Sequence, residues 1–255
     1  MAAMKEKCDF LLKKIDATLL KKDLSIEISL WFTRRSAMRY IDLTGTIENG
    51  MWEYGDPYPK VEITQICSVE DDCSYAEYRV NAHKITFSSS SGTYVQSSSE
   101  MFSDRDTIEK ISLDRLIIKS AVMKIPKGAR EKVTVEDLEK SGVIPEKGDG
   151  LIVATCWDSH WNMPDFVTHS PHFTPESMEW ILQKKVSLLA GDMSLYDDYH
   201  NPTGLLRELF KQDLLVVAPL IHLDRITHPF ITLMALPLKI SGVSGSPCRV
   251  IAIEA

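Results

Sequence analysis

The sequence predicts one mixed α/β domain built on a sheet that contains both parallel and antiparallel strands. Strand-like segments outnumber helical ones, and the two alternate over only part of the chain, which argues against a doubly wound parallel sheet. The composition, with 44% apolar and 25% charged residues, is that of an ordinary globular protein. A chain of 255 residues is long enough to enclose one large hydrophobic core.

An N-terminal arm is predicted before this domain, over residues 1–39. Residues 1–22 carry apolar side chains at helical spacing, and residues 24–30 alternate between apolar and polar as in a half-buried strand. Such a helix could lie on a membrane surface, but its acidic residues and single bulky aromatic favour packing against protein. Residues 40–255 then form the main domain.

The strands of the main domain are predicted from apolar and β-branched runs bounded by turn residues. They are expected at residues 41–47, 61–66, 76–87, 148–155, 186–190, 214–219, 231–238 and 248–253.

Helices are predicted where a capping residue precedes an apolar repeat of helical period. Thr134 can cap a helix over residues 133–140, and Thr174 followed by a proline begins another over 174–182. A third helix is expected over 205–212, and residues 107–119 combine a short helical piece with the start of a strand.

The charge balance limits the classes of partner. Lysine and arginine number 29 against 36 aspartates and glutamates, which gives a net charge of −7 and argues against nucleic acid as a partner. No run of 18 apolar residues or secretory signal is evident, so we expect no membrane association and a cytoplasmic location. The five cysteines are scattered without a C-x-x-C motif and are expected to be thiols.

Residues 88–99 are rich in serine, a composition typical of a flexible linker. The segment nevertheless follows a predicted strand directly, and Thr93, Tyr94 and Val95 within it favour strand. A polar segment threaded through a packed domain is therefore a candidate site.

From Tyr40 onwards the order of segments resembles the kynurenine formamidase-like cyclase superfamily. The resemblance rests on residues 41–51, on 148–157 with Trp161, on 230–242 and on 245–253, of which the closing strands are the most specific. Members of this superfamily are metal-dependent amide and lactone hydrolases, with some cyclases. The resemblance implies a swivelling β/β/α fold and a homodimer or homotetramer.

The family's catalytic signature is His-x-Gly-Thr-His-x-Asp-x-Pro-x-His, in which two His and the Asp bind zinc or manganese. The last His is a general acid/base. The matching segment retains Gly and Thr at positions 92 and 93 but has Ser90, Tyr94 and Gln96 at the ligand positions, and Glu100 at the acid/base position.

A later His and a later Glu of the family correspond to Leu206 and Ala218. If this correspondence is shifted by one helical turn, His200 comes near the position of the later His. Zinc or manganese at a hydrolytic site needs about three imidazole, carboxylate or thiolate ligands. We therefore predict no metal and no other cofactor. Without a metal, nothing lowers the pKa of an attacking water toward 7, so formamidase activity is not expected.

Two functions remain open on this sequence, both with a small, cyclic or aromatic molecule as the partner. The first, which the polar replacements at the signature positions favour, is a metal-independent enzyme for dehydration, isomerisation or ring closure, in which Glu100 is the catalytic acid/base and Tyr94 or Gln96 holds a carbonyl. The second is a non-catalytic family member that binds a ligand or acts as a scaffold. The residues predicted to bind the small molecule are Ser90, Gln96, Trp52, Tyr54, Trp157, His160 and Trp161.

His169 and His172 have a spacing found among metal ligands, but they lie in a segment interrupted by proline with no evident third ligand. We interpret both as histidines of a surface loop.

Overall fold

A computed structural model describes residues 38–70, 74–75 and 78–254 of the chain. The predicted N-terminal arm lies outside this described part except for its last two residues, so the arm stays a prediction. Among the described residues, no helix has the length and apolar character needed to cross a bilayer.

Strands and short helices alternate irregularly along the described chain. The strands are β1 (Arg39–Asp42), β2 (Glu62–Cys67), β3 (Ser74–Tyr75), β4 (Tyr78–Arg79), β5 (Ala82–Thr86), β6 (Tyr94–Gln96), β7 (Ile117–Lys124), β8 (Lys132–Val133), β9 (Gly150–Ala154), β10 (His172–Phe173), β11 (Leu188–Gly191), β12 (Leu215–Ala218), β13 (Phe230–Pro237) and β14 (Gly245–Glu254). The helices are α1 (Leu113–Leu116), α2 (Val135–Lys140), α3 (Pro175–Gln183) and α4 (Leu205–Lys211).

Seven of these strands form a closed barrel, in the order β14-β13-β7-β9-β11-β12-β6, with β6 pairing back onto β14. Strands β7, β9, β11 and β12 are parallel to one another, whereas the pairings that involve β6, β13 and β14 are all antiparallel. The prediction of a mixed α/β domain with a mixed sheet is thus confirmed. Closure of the sheet was not predicted, and the swivelling β/β/α arrangement stays a prediction.

Alternate residues of the parallel barrel strands face two different apolar layers, whereas the outer face of β13 is partly exposed. The interior is filled by side chains such as Val95, Ile152 and Val217. The outer face of the parallel strands packs against α3 and α4, through side chains such as Val216 and Ala218. Because Val95 points inward, its neighbours Tyr94 and Gln96 on β6 point outward, toward the helical layer.

The helix starts agree with the capping residues seen in the sequence. The Thr134 hydroxyl accepts from the Asp137 backbone, whose carboxylate accepts from the Thr134 N–H in return. Thr174 and Ser177 form the same reciprocal pair at the start of α3. Each pair satisfies N–H groups that a helix leaves unpaired in its first turn.

Two of the predicted strands differ clearly from those in the structure. Strand β1 ends at Asp42, not at residue 47, because Gly45 turns to donate its N–H to the Thr93 hydroxyl. A Cβ at Gly45 would lie 2.0 Å from the ring of Trp161, so this close approach requires glycine. The single strand predicted over 76–87 is divided into β4 and β5.

The serine-rich segment is part of the packed domain. Residues 90–98 are all buried, and β6 lies at their centre, so the strand signal of Thr93 to Val95 outweighs the composition. The prediction that His172 lies on a surface loop is wrong. His172 belongs to β10, which pairs with β8, is 6% exposed, and places its Nε2 3.9 Å from the Asp198 carboxylate.

Candidate functional site

A cavity of about 90 Å³ lies between the outward face of β6 and β12 and the start of α4. Its floor is formed by the side chains of β6 and β12 that point away from the barrel interior. Its other walls come from α4 and from the loop after β11. The lining residues are Tyr94, Gln96, Ser194, Leu195, Tyr196, Asp197, Leu206, Val216 and Ala218.

Four of these residues occupy positions that the sequence relates to functional residues of the formamidase-like family, Tyr94 and Gln96 to metal ligands and Leu206 and Ala218 to a later His and Glu. Tyr94 and Gln96 come from the signature segment, whereas Leu206 and Ala218 lie more than a hundred residues later. The structure places all four around the same cavity. Because they were related to one another by sequence position alone, their meeting identifies this cavity as the candidate site. His200 is not among the residues that line it.

Two tyrosines join the cavity to the loop that precedes β2. The Tyr54 hydroxyl donates to the Ser194 carbonyl at 2.8 Å and lies 3.2 Å from the Tyr94 hydroxyl. Since a phenol has one proton, and that of Tyr54 is directed to Ser194, Tyr94 must be the donor to Tyr54. Tyr94 consequently faces the cavity as a hydrogen-bond acceptor.

The phenols at this site remain neutral in the physiological range. Burial raises the pKa of Tyr94 to about 12, and the negative charge of Glu100 adds to the rise. Burial also raises the pKa of Tyr54 and of Tyr196 well above the ordinary value. A proton on Tyr94 suits a hydrogen-bonding role and does not suit a phenolate ligand.

Gln96 presents the least satisfied polar group in the cavity. Its side chain is 6% exposed and makes no hydrogen bond to any residue that the structure describes. The backbone of Gln96 is held on both sides, opposite Val216 of β12 and opposite Gly245 of β14. The backbone that carries the amide is therefore fixed in position, and both the donor and the acceptor of the amide are available to the cavity.

Asp197 supplies the charge on the cavity wall. Its carboxylate accepts from the backbone N–H groups of Thr203, Gly204 and Leu205, and from the Thr203 hydroxyl. Burial alone would raise the pKa of Asp197, but these donors outweigh burial and hold it below the usual range. The carboxylate is thus ionised at neutral pH and is committed to the start of α4.

The two remaining signature positions lie outside the cavity lining. Glu100 ends a short 3₁₀ helix, Ser98–Glu100, and its carboxylate accepts a hydrogen bond from the Ser244 hydroxyl. Ser90 lines a separate, narrow cleft of about 10 Å³ with Trp52 and Tyr54. The catalytic role of Glu100 and the binding role of Ser90 stay predictions.

The other predicted binding residues belong to an aromatic cluster beside this cleft. Trp157 is 1% exposed, stacks on His160 with ring centroids 4.0 Å apart, and donates its indole N–H to the Phe166 carbonyl. Trp161 packs edge-on against Trp52. The Trp52 indole nitrogen is buried and finds no hydrogen-bond partner among the described residues. The structure gathers these aromatic residues together, but none of them lines the cavity.

The residues missed by the sequence analysis come mainly from the loop after β11, which contributes Ser194 to Asp197. Asp192, at the start of this loop, is fully buried and accepts from Thr155 and from the Trp157 backbone. Burial raises the pKa of Asp192 to about 6. The sequence signal that could have identified Asp197 is its place eight residues before α4, a helix that begins after Gly204 and therefore has no side-chain cap.

Within the ranges that the structure describes, no group of three or more His, Cys, Asp or Glu side chains could hold a metal ion. The prediction that the protein uses no metal is not tested by this finding.

The comparison with known proteins agrees with the fold and with the signature segment. The sequence profile of the "Putative cyclase" family matches residues 41–198, which is more than half of the chain. The chain belongs to this cyclase family. The match includes the segment that carries Tyr94 and Gln96, and it ends directly after Asp197.

Two curated relatives of this cyclase-family protein are hydrolases. Kynurenine formamidase of Bacillus anthracis is 25% identical over 173 residues, which cover 68% of this chain and 79% of the relative. Isatin hydrolase of Roseibium aggregatum is 27% identical over 118 residues, and the matched region spans only 45% of that relative and 42% of this chain.

Solved structures share the fold over most of the cyclase-family chain. Isatin hydrolase A from Ralstonia solanacearum has a TM-score of 0.76 at 20% identity, and covers 90% of this chain and 97% of its own. Isatin hydrolase A from Labrenzia aggregata, bound to benzyl benzoate, has a TM-score of 0.75 at 22% identity and covers 90% and 98%. At these identities the likeness establishes the fold.

Proposed function

We propose that this cyclase-family protein binds a small organic molecule in the cavity beside Gln96 and does not catalyse metal-dependent hydrolysis. The observation that carries the proposal is the convergence of Tyr94, Gln96, Leu206 and Ala218 on one cavity. Tyr94 and Gln96 correspond to family metal ligands and Leu206 and Ala218 to a later His and Glu of the family, and none of the four has an ionisable side chain suited to zinc or manganese.

The donor chemistry at the cavity supports the absence of a resident metal. Zinc prefers imidazole, thiolate or carboxylate ligands, and a hydrolytic site needs about three of them. Leu206 and Ala218 supply no donor, the Gln96 amide is a weak neutral ligand, and Tyr94 holds its proton up to a pKa of about 12. Asp197 is an anionic oxygen donor on the wall, but its carboxylate is already engaged at the start of α4.

Binding without catalysis is favoured because no described residue that lines the cavity offers an unengaged base or nucleophile, the Asp197 carboxylate being occupied by the N–H groups at the start of α4. The hydroxyl of Ser194 is directed to the carbonyls of Phe166 and Val167, and that of Tyr196 is directed to the Leu189 carbonyl. The relatives' names refer to kynurenine and isatin, which supports a ring-bearing compound that places one small polar group in the cavity as the ligand. A homodimer or homotetramer stays part of the proposal.

A metal-independent enzyme is the second candidate, and one observation favours it. The charge of Glu100 contributes to the raised pKa of Tyr94, so the two groups lie close enough to influence one another. In this candidate Glu100 releases Ser244 and transfers a proton to or from a ligand held by Tyr94. Turnover that is lost in Glu100→Gln while binding persists would select it over simple binding.

The proposed function is tested by metal analysis together with fragment binding. We expect purified protein to contain no stoichiometric zinc or manganese, and added metal not to stimulate hydrolysis of N-formylkynurenine or isatin. Ligand-observed NMR with a fragment library should find binders that Ala218→Leu, which fills the cavity, no longer binds. Ala82→Leu on β5, outside the cavity, is the matched control.

Two results would contradict the proposal. One is stoichiometric metal accompanied by metal-stimulated hydrolysis. The other is a set of bound fragments that Ala218→Leu leaves unaffected, since binding would then take place elsewhere.

A further inference from the structure

We propose that Gln96 determines what the cavity binds: an uncharged group with an amide-like edge, which combines one hydrogen-bond donor and one acceptor, in preference to a carboxylate. The inference rests on the proposed function, and it adds the chemical class of the ligand and the residue that selects it.

The Gln96 amide is the group of the protein that this ligand would contact. The side chain is 6% exposed, yet its carbonyl and its NH₂ group make no hydrogen bond to any described residue. The amide atoms are not among the polar atoms sealed from solvent, so they are accessible from the cavity, where a polar group is stabilised by a hydrogen-bond partner. A ligand that donates to Oε1 and accepts from Nε2 would satisfy both groups at once, as one amide does for another.

Gln96 lies on a strand that cannot shift easily. Strand β6 is paired on both edges, with β12 through Val216 and with β14 through Gly245. A Cβ at Gly245 would lie 2.8 Å from the Val95 carbonyl oxygen, so β14 approaches β6 as closely as glycine permits. The amide is therefore presented by a rigid element, which favours discrimination between ligands.

The charge around the cavity is negative. None of the nine described residues that line it is Lys, Arg or His, and Asp197 contributes an ionised carboxylate. The Tyr94 proton is directed to Tyr54, so this hydroxyl meets a ligand as an acceptor. An anionic group would lose its hydration and meet acceptors and a like charge, whereas a neutral donor would be accommodated.

The volume of the cavity limits the size of the group that it can hold. A dry protein cavity of about 150 Å³ accommodates benzene, with six heavy atoms. The cavity here, at about 90 Å³, has room for a group of about four heavy atoms. Acetamide, acetate and acetone each have four heavy atoms and nearly the same shape, so they separate chemistry from size.

The experiment measures the binding of these three probes to the full chain by NMR titration. We expect acetamide to bind with a millimolar Kd, as its size allows, and at least 10-fold more tightly than acetate or acetone. Gln96→Leu should weaken acetamide binding at least 10-fold and leave acetone within 3-fold. Gln183→Leu, on the exposed face of α3, is the matched control and should change none of the values.

A second variant keeps the test valid if Gln96→Leu misfolds. Gln96→Glu retains the shape of the side chain and replaces its donor with a charge. We expect this variant to lose its preference for acetamide and to bind the isosteric cation acetamidinium at least 10-fold more tightly than wild type does.

The outcomes separate the inference from the function on which it rests. Equal binding of all three probes, or acetamide binding that survives Gln96→Leu, would overturn the role of Gln96 while leaving a binding cavity. Preferential binding of acetate would overturn the argument from charge. Failure of every probe to bind, with fragments also absent from the cavity, would overturn the inference and the proposed function together.

Discussion

The hydroxyl of Tyr54 is the hydrogen-bond partner of two other buried groups. It donates to the Ser194 carbonyl and accepts from Tyr94, so its loss would leave a buried carbonyl and a buried phenol without partners. We expect Tyr54→Phe to lower the free energy of unfolding by about 1–2 kcal/mol. Urea denaturation followed by fluorescence measures this change. Tyr58→Phe removes a hydroxyl from a 38% exposed side chain and should have little effect.

Glu254 is a second residue with an effect that pH can reveal. Burial opposes its ionisation, but donors from Thr227 and His228 outweigh burial and lower its pKa to about 2. Because the folded-state pKa lies below the unfolded value, the stabilisation is present above pH 4.5 and is lost as the pH falls toward 2.

We therefore expect wild type to exceed Glu254→Gln in unfolding free energy by about 1–2 kcal/mol at pH 7, since solvent near the half-exposed His228 screens part of the interaction. The difference should shrink to near zero as the pH approaches 2. Glu139→Gln on exposed α2 should show no comparable change. A difference between wild type and Glu254→Gln that is independent of pH would contradict the assignment.

The sequence predicted the site residues unevenly at this scale. Tyr94 and Gln96 could be assigned because the retained Gly92 and Thr93 mark the segment. Asp197 could not, because its role depends on three backbone N–H groups that approach it only when the loop folds against α4. Whether an amide such as that of Gln96 is paired also depends on neighbours brought by distant strands.

Among the elements, α4 depends on a carboxylate that is outside the helix. Gly204 at its start has a φ of +86° and provides no side-chain cap, so Asp197 accepts from the first N–H groups instead. We expect Asp197→Asn to lower the unfolding free energy by about 1–2 kcal/mol at pH 7.

The pH dependence of that effect has a definite sign. The folded-state pKa of Asp197 is lowered, so its contribution is present at neutral pH and is lost as the pH falls through the acidic range. Stability curves for wild type and Asp197→Asn should therefore converge in acid, whereas the exposed Asp104→Asn should follow wild type throughout. An equal deficit at pH 3 and pH 7 would show that the carboxylate charge is not what stabilises α4.

Elements with local signals were predicted well, and those fixed by distant contacts were not. Capping pairs at Thr134 and Thr174 lie within four residues, so helices α2 and α3 could be located within one or two residues of their ends. The end of β1 is set by a hydrogen bond from Gly45 to Thr93, 48 residues away, and no local pattern announces it.

For the whole molecule, the arrangement of the cavity walls predicts that a metal site can be introduced. The triple variant Gln96→Asp, Leu206→His and Ala218→Glu places three zinc-type ligands around one cavity. We expect mass spectrometry of the purified variant to find about one zinc per chain, and wild type to contain none in stoichiometric amount.

The double variant that retains Leu206 is the control, and it should bind zinc at least 10-fold more weakly because one ligand is absent. A folded triple variant without zinc affinity would mean that the three positions do not converge as described.

At this scale the family and the mixed sheet could be predicted, but the closed barrel could not. Closure depends on a three-residue strand, Tyr94–Gln96, meeting strands that begin at residues 215 and 245. Its serine-rich surroundings suggest a linker, and pairings across more than a hundred residues leave no periodic trace in the sequence.

The double pairing of β6 also has a consequence for protein synthesis. Both of its edges are covered by strands that are translated more than a hundred residues later, and the last of them is β14. On the ribosome, Gln96 and Tyr94 therefore emerge long before either neighbouring strand exists. A nascent chain that stops short of residue 245 carries Tyr94 and Gln96 but leaves one edge of β6 uncovered, so the small-molecule binding proposed for this cavity should begin only after β14 has been synthesised.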